Sequence, residues 1–164
     1  MIVNLLDKLL FGGLMLIAMQ VPVVSDHYVQ YLSGYYEATR HQVEGFRNTA
    51  ARHGYPDEFG MINDLLQNPN ALIKDDARQK QQTLQDYKEL TQSLATLING
   101  NYFERAWFIS SPKQWRTLEK VLENFKPGIP LSINDLVYSV LTALLLSTLL
   151  TLPLKMRAFS SARA

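Results

Sequence analysis

The chain has 164 residues, a formal net charge of +1 and no cysteine. That length suits one domain together with membrane segments, and the absence of thiols excludes disulfides, thiolate catalysis and cysteine metal sites. Residues 25–130 contain twelve Lys or Arg and thirteen Asp or Glu, without a basic patch that alternates with aromatic residues. Nucleic-acid binding therefore has no electrostatic support, and we expect no nucleic-acid partner.

The first apolar segment lies within residues 1–24. Its central part, LLFGGLMLIAMQVPVV at positions 9–24, is free of charge for sixteen residues. A signal peptide would need a basic n-region and a small-residue cleavage site, whereas Asp7 stands beside Lys8 and the exit sequence VPVVS fits cleavage poorly. We therefore favour a transmembrane helix over a signal sequence or a buried core helix.

Apolar residues between positions 26 and 53 recur at spacings of three and four, which predicts a helix with one heptad seam. The seam comprises Val29, Leu32, Tyr36, Thr39, Val43, Phe46 and Ala50. It is expected to pair either with a second helix of the same chain or with a neighbouring copy. Gly54 is placed to end this helix. If the helix continues directly from the first segment, Pro22 is a candidate kink.

Further helices are predicted at residues 61–67, 71–99 and 112–125. Ser111 resembles the N-cap of the last of these, with Pro112 at the first helical position. We expect one face of this last helix to be buried, namely Trp115, Leu118, Val121, Leu122 and Phe125.

Two aromatic groups are candidates for the membrane interface, where Tyr and Trp accumulate. Tyr28 and Tyr31 follow the first apolar segment closely. The stretch YFERAWFI at 102–109 fits an interfacial helix, a plug at the base of a helical bundle, or the lining of a ligand pocket.

The second apolar segment, LVYSVLTALLLSTLLTLPL at 136–154, has nineteen residues without a charge. A helix of that length spans about 28 Å, close to the ~30 Å hydrocarbon core of a bilayer. Ser132 and Asp135 resemble a capping box at its start. Small residues recur at every fourth position, namely Ser139, Ala143, Ser147 and Thr151. Such a stripe allows close helix approach, either to the chain's own first span near Gly12 and Gly13 or to another subunit.

Two spans place both chain ends on the same side of the membrane. The basic residues Lys155, Arg157 and Arg163 put that side in the cytoplasm. The predicted fold is therefore all-α, with transmembrane helices at 1–24 and 131–154 and a basic cytoplasmic tail at 155–164. Residues 25–130 are predicted to form an extracytoplasmic antiparallel helical hairpin or small bundle.

No catalytic constellation is evident, so we expect no enzyme activity, cofactor or metal. His27 and His41 lie two heptads apart, which is too far for one metal ion, and His53 is isolated. The pair Asp57–Glu58 suits a helix start or a solvated face.

The pattern favours a structural or accessory membrane protein that contacts lipid and assembles with itself or with a membrane-protein partner. The alternative is an extracytoplasmic ligand-sensing module that acts through a partner. The candidate packing and assembly residues are Ser139, Ala143, Ser147 and Thr151 of the stripe, and Val29, Leu32, Tyr36, Val43 and Phe46 of the seam.

The layout as a whole, with the N-terminal run MIVNLLDKLLFGGLMLIAMQVP, a helical region and a C-terminal span, resembles an uncharacterised family of short bacterial inner-membrane proteins known as a domain of unknown function. The resemblance covers nearly the whole chain. It implies a bacterial inner-membrane setting, and it transfers no activity and no functional residue.

Overall fold

The computed structural model describes the backbone of residues 2–161 and the side chains of residue 5 and residues 7–152. Across this described range the chain is helical and has no strand, which confirms the all-α prediction. In order, the elements are α1 (Ile2–Arg52), α2 (Glu58–Leu66), α3 (Ala71–Asn99), α4 (Tyr102–Ser110), a 3-10 turn (Pro112–Gln114), α5 (Trp115–Glu123) and α6 (Ile133–Ser161).

The chain divides into two compact units. The terminal unit comprises residues 1–27 and 100–164, and the central unit comprises residues 28–99. Helix α1 contributes its first part to the terminal unit and the remainder to the central unit.

Helix α1 is a single helix of 51 residues that contains Pro22. It ends in a Schellman motif. The Gly54 amide donates to the Ala51 carbonyl at 3.2 Å, and the Tyr55 amide donates to the Ala50 carbonyl at 3.0 Å. Gly54 has φ +78°, the left-handed conformation that glycine adopts without strain. The prediction that Gly54 ends this helix is confirmed.

Helix α3 has the predicted bounds, but α2 begins three residues before the predicted start at position 61. The reason is the side chain of Asp57, whose Oδ1 accepts a hydrogen bond from the Gly60 amide at 2.7 Å. This N-cap satisfies a free amide of the first turn. Asp57 and Glu58 are therefore helix-start residues, one of the two roles expected for them.

The prediction for residues 112–125 is wrong in its first turn. Pro112–Gln114 form a 3-10 turn, and the α-helix begins only at Trp115. Ser111 is not a side-chain N-cap, because its Oγ donates back to the Phe108 carbonyl at 2.8 Å and so completes the end of α4. Helix α4 has a capping box of its own, which is formed by Asn101 and Glu104 and was not predicted.

The predicted buried face of α5 is also only partly correct. Val121 is buried and Leu118 and Phe125 are half-buried, but Trp115 and Leu122 are exposed. Helix α5 is short, with nine residues, and only a narrow side of it meets other elements.

Helix α6 begins at the predicted position, where the Asp135 amide lies 3.4 Å from Ser132 Oγ, and continues to Ser161. Helix α1 from Asp7 and helix α6 as far as Leu152 are both long and apolar enough to cross a membrane. Only 22% of the most apolar part of α1 and 17% of that of α6 is buried. A soluble core helix would be mostly buried, so the apolar surface of these helices faces outward.

Candidate functional site

The small-residue stripe of α6 is buried within the terminal unit. Ser139 and Ala143 have 0% of their surface exposed, and Ser147 and Thr151 are also buried. Leucines on the other faces, such as Leu141, Leu145 and Leu149, are exposed. The chain itself therefore covers the stripe, which corresponds to the intrachain alternative. Its role in assembly with another subunit stays a prediction.

The stripe meets α1 at Ala18. Ser139 Oγ lies 3.4 Å from the Ala18 carbonyl oxygen and donates its proton at 2.7 Å to the Asp135 carbonyl of its own helix. Tyr102 of α4 donates from its hydroxyl to the same Ala18 carbonyl at 3.0 Å. Three helices thus converge on one backbone carbonyl. Burial raises the pKa of Tyr102, which keeps the hydroxyl protonated as a donor.

The expected contact of the stripe with Gly12 and Gly13 is not observed. A Cβ built on either glycine would meet no heavy atom of a described neighbouring element within 4 Å. The close approach between α1 and α6 is instead at Ala18, a small buried residue whose significance the sequence did not indicate.

Gln20 of α1 anchors the loop between α5 and α6. Its Nε2 donates to the Leu16 carbonyl at 2.9 Å and to the Gly128 carbonyl at 3.3 Å, and its Oε1 accepts from the Gly128 amide at 3.2 Å. The amide side chain thereby pairs with both backbone groups of one residue, as a neighbouring strand would. Because Gln20 and Gly128 are far apart in sequence, no local pattern predicts this contact.

The heptad seam of α1 lines the core of the central unit. Its members Val43 and Ala50 form a buried cluster with residues from α2 and α3, namely Met61, Ile62 and Leu84. Leu32 and Thr39 are buried, whereas Val29, Tyr36 and Phe46 are half-buried. The chain itself covers this seam too. Whether a copy in another subunit also contacts it stays a prediction.

Two aromatic contacts join α1 to α3 along the seam. The Tyr36 ring stacks on the Tyr87 ring at a centroid distance of 5.3 Å, and their hydroxyls are 3.3 Å apart. The hydrogen bond with Tyr87 raises the pKa of Tyr36. Farther along α1, Lys80 Nζ lies 5.5 Å from the Phe46 ring centroid, within cation–π distance.

A cavity of about 570 Å³ opens in the central unit. At one side Arg47 Nε donates to Glu58 Oε1 at 3.0 Å. The remaining wall combines apolar groups with amides, two hydroxyls and an ammonium, from Phe59, Ile62, Asn63, Gln81, Leu84, Gln85, Tyr87, Lys88, Thr91 and Gln92. The volume suits a small molecule.

The histidines are dispersed. His27 packs edge-on against Phe125 with ring centroids 5.6 Å apart, whereas His41 and His53 are exposed. Among the residues that the structure describes, no group of three or more His, Asp or Glu residues is placed to hold a metal ion.

Of the aromatic residues that were candidates for the membrane interface, some are exposed and others are buried. The prediction that Tyr28 faces the membrane interface is wrong, because Tyr28 is fully buried. Tyr31 is exposed, and so are Phe103 and Trp107 of α4. Tyr102 is buried and lies against Tyr138 of α6, with ring centroids 6.1 Å apart.

The profile of one protein family, described as "Protein of unknown function (DUF2937)", matches residues 2–163. No curated protein and no solved structure matches the chain.

Proposed function

The chain belongs to the DUF2937 family of proteins of unknown function, and we propose that it is a non-enzymatic structural or accessory membrane protein. In this proposal the two apolar helices anchor it in a bacterial inner membrane, where it assembles with itself or scaffolds another membrane complex. The bacterial inner membrane is the setting that the resemblance of the sequence implies.

The observation that carries the proposal is the outward-facing apolar surface of α1 and α6. Leu9, Leu16 and Ile17 on α1 are exposed, as are Leu145 and Leu149 on α6. Soluble monomers rarely expose contiguous apolar surface of this extent. In a bilayer the same side chains contact acyl chains at no cost, while the helical backbone satisfies its own polar groups.

The topology follows from charge. Two spans return the chain to the side where it began, and the positive-inside rule assigns the Lys155, Arg157 and Arg163 tail to the cytoplasm. Residues 25–130 then lie outside the cytoplasm. Within this region the Tyr36–Tyr87 and Phe46–Lys80 contacts run in opposite directions along α1 and α3, which supports an antiparallel helical hairpin.

An accessory role fits better than transport. Positions 9–24 and 136–154 contain no Asp, Glu, Lys, Arg or His, whereas ion and proton pathways use such charged groups within the membrane. The stripe and the seam are covered by the chain's own helices, so a further subunit would pack on the exposed leucine faces of α1 and α6. Interfaces between membrane helices form by close packing rather than by hydrophobic exclusion of water.

The native oligomeric state tests this proposal. The full chain is cross-linked in native membranes, and its mass is measured after transfer into lipid nanodiscs. We expect a defined homo-oligomer or a co-purifying membrane protein in stoichiometric amount. A strictly monomeric protein without a partner in both experiments contradicts the proposal.

A second candidate is the ligand-sensing module, which the 570 Å³ cavity in the central unit favours. The full chain in mild detergent would be screened for thermal shifts against a panel of small polar metabolites. A genuine ligand raises the melting temperature by mass action. The shift should disappear in Gln85→Leu, which alters the cavity wall, and persist in Gln79→Leu, which lies outside it. The absence of any shift across the panel would count against sensing.

A further inference from the structure

The segment from α4 to the start of α6 exposes large apolar side chains that no part of the described chain covers. Trp107 is 81% exposed and Trp115 is 63% exposed. Further exposed apolar residues are Phe103, Leu122, Ile129, Leu131 and Ile133. Apart from Leu131 and Ile133, which stand at the start of the second span, these side chains lie outside both spans, so membrane crossing alone does not account for them.

The segment lies beside the end of the first charge-free stretch. Tyr102 bonds to Ala18 and Gly128 to Gln20, both in the last part of the stretch 9–24. An apolar groove of about 230 Å³ also runs between this part of α1 and helices α4 and α5; it is lined by Ile17, Gln20, Val21, Val24, Ala106, Ile109, Ser110, Leu118 and Leu122. The first acid after the stretch is Asp26.

The same segment lies beside the start of the second stretch. The rings of Tyr102 and Phe103 approach Tyr138 with centroid distances of 6.1 and 5.9 Å. Tyr138 stands one turn after Asp135, the last charge before the apolar run. Both spans therefore place α4 at one boundary of their apolar surface, the level at which a bilayer changes from acyl chains to headgroups.

We propose that the segment from α4 to Leu131 is an interfacial platform that binds bilayer phospholipid, with the Trp107 and Trp115 rings inserted at the boundary between acyl chains and headgroups. Tryptophan suits that level because its ring is apolar while its N–H needs a polar partner. The Trp115 N–H donates to the Ser110 carbonyl at 3.4 Å, so for this residue the apolar ring carries the argument. Short amphipathic helices lie in this plane with their apolar side chains in the lipid. Residues 102–131 carry five Lys or Arg against three Asp or Glu, which is compatible with lipid phosphates. The inference rests on the proposed membrane location.

Tryptophan fluorescence provides a direct test, because the chain contains only two tryptophans. The full chain is reconstituted into phosphatidylcholine–phosphatidylglycerol vesicles that carry a spin label either near the headgroup or near the end of the acyl chain. Trp107→Phe and Trp115→Phe report on each ring separately, and both positions are exposed enough to tolerate the change. We expect blue-shifted emission that the shallow label quenches more strongly than the deep label, with little quenching by aqueous iodide.

Two results would overturn the platform. Efficient quenching by iodide without quenching by lipid labels would place the rings in water, and protection from both quenchers would mean that a protein surface covers them. Vesicle flotation after alkaline carbonate treatment of the same samples separates the two hypotheses. A protein that fails to float contradicts the proposed membrane function itself, whereas a floating protein with water-exposed tryptophans contradicts only the platform.

Discussion

The hydroxyl of Tyr102 lies 3.0 Å from the carbonyl oxygen of Ala18. In a regular helix that carbonyl accepts from the amide four residues later, but residue 22 is proline and has no N–H. A buried carbonyl without a donor costs free energy. Tyr102 thus compensates for the defect that Pro22 creates in α1, and the location of the proline is also the point where α4 and α6 meet α1.

We expect Tyr102→Phe to lower the free energy of unfolding by about 1–3 kcal/mol, because the Ala18 carbonyl loses its donor while it stays buried. In a Pro22→Ala background the helix amide takes over, so the same substitution should cost much less. Unfolding of the four proteins of this double-mutant cycle is measured in mild detergent.

Tyr35→Phe is the matched control for this cycle, because Tyr35 is exposed and its substitution should change stability by less than about 0.5 kcal/mol. If Tyr102→Phe cost the same with and without Pro22, the hydrogen bond to the Ala18 carbonyl would not be a replacement for the N–H that Pro22 lacks.

The buried position of Ala143 predicts whether monomer stability or assembly is lost first when a stripe residue is replaced by a larger one. Ala143→Leu inserts extra methylene groups where no surface is exposed, and we expect a loss of about 1–3 kcal/mol in the stability of the monomer. Leu145→Phe enlarges an exposed side chain of the same helix and should leave the monomer intact. Stability and oligomeric state are measured in parallel. A stable Ala143→Leu monomer that no longer assembles would instead assign the stripe to an intersubunit contact.

Two of the three arginines in the second half of α1, Arg40 and Arg47, should differ in their contribution to stability. The Glu58 side chain is only 7% exposed and is paired with Arg47, so Arg47→Ala leaves a buried carboxylate without its cation. Because Arg47 itself is half in water, we expect a moderate loss of about 1–2 kcal/mol. Arg40→Ala is the control, since its partners Glu37 and Glu44 are exposed, and it should cost about 0–1 kcal/mol. Equal losses on denaturant unfolding would contradict this ranking.

The stability of the protein should fall at alkaline pH because Tyr55 of the central unit loses its proton. The hydrogen bond of the Tyr55 hydroxyl to Asp64 raises the pKa of Tyr55. The pKa of Tyr55 is therefore higher in the folded protein than the value of about 10 in the unfolded chain. The hydrogen bond contributes its full stabilisation below about pH 10, and this stabilisation is lost as the pH rises through the folded pKa. Tyr55→Phe should therefore reduce stability near neutral pH and flatten its decline above about pH 10. Unfolding of both proteins measured across this pH range tests the predicted direction of the effect. A steeper decline of stability with pH in the variant would contradict it.

The helical segments were predictable because their signals are local. The bounds of α3, the end of α1 at Gly54 and the start of α6 at Ser132 follow from periodicity and from capping chemistry within a few residues. The start of α2 was not predicted correctly, although its signal is equally local: the Asp57 side chain caps the helix by accepting from the Gly60 amide. Ser111 was misassigned because a serine between two helices can bond to either one, and its sequence position does not distinguish them.

The contacts within the terminal unit could not be predicted in the same way. The periodicity of α6 identified the stripe but not its partner, since Gly12 and Gly13 looked more suitable for close packing than Ala18. The pairing of Gln20 with Gly128 depends on the path of a loop more than a hundred residues away. Likewise, the amphipathic pattern of α5 predicted burial for Trp115, which is exposed, because such a pattern identifies an apolar face but not whether another element packs on it.

Two glycines of the α1 region should respond to alanine with opposite signs. Gly54 holds φ +78°, where a Cβ is strained, so Gly54→Ala should destabilise the protein by about 1–2 kcal/mol. Gly45 lies within α1, and a Cβ there would meet no described atom within 4 Å. Gly45→Ala should therefore stabilise the protein by about 0.5–1 kcal/mol, because alanine loses less backbone entropy in a helix. Both variants are compared by thermal unfolding under one set of detergent conditions. Destabilisation by Gly45→Ala would mean that a partner surface contacts this face of α1 in the assembled protein.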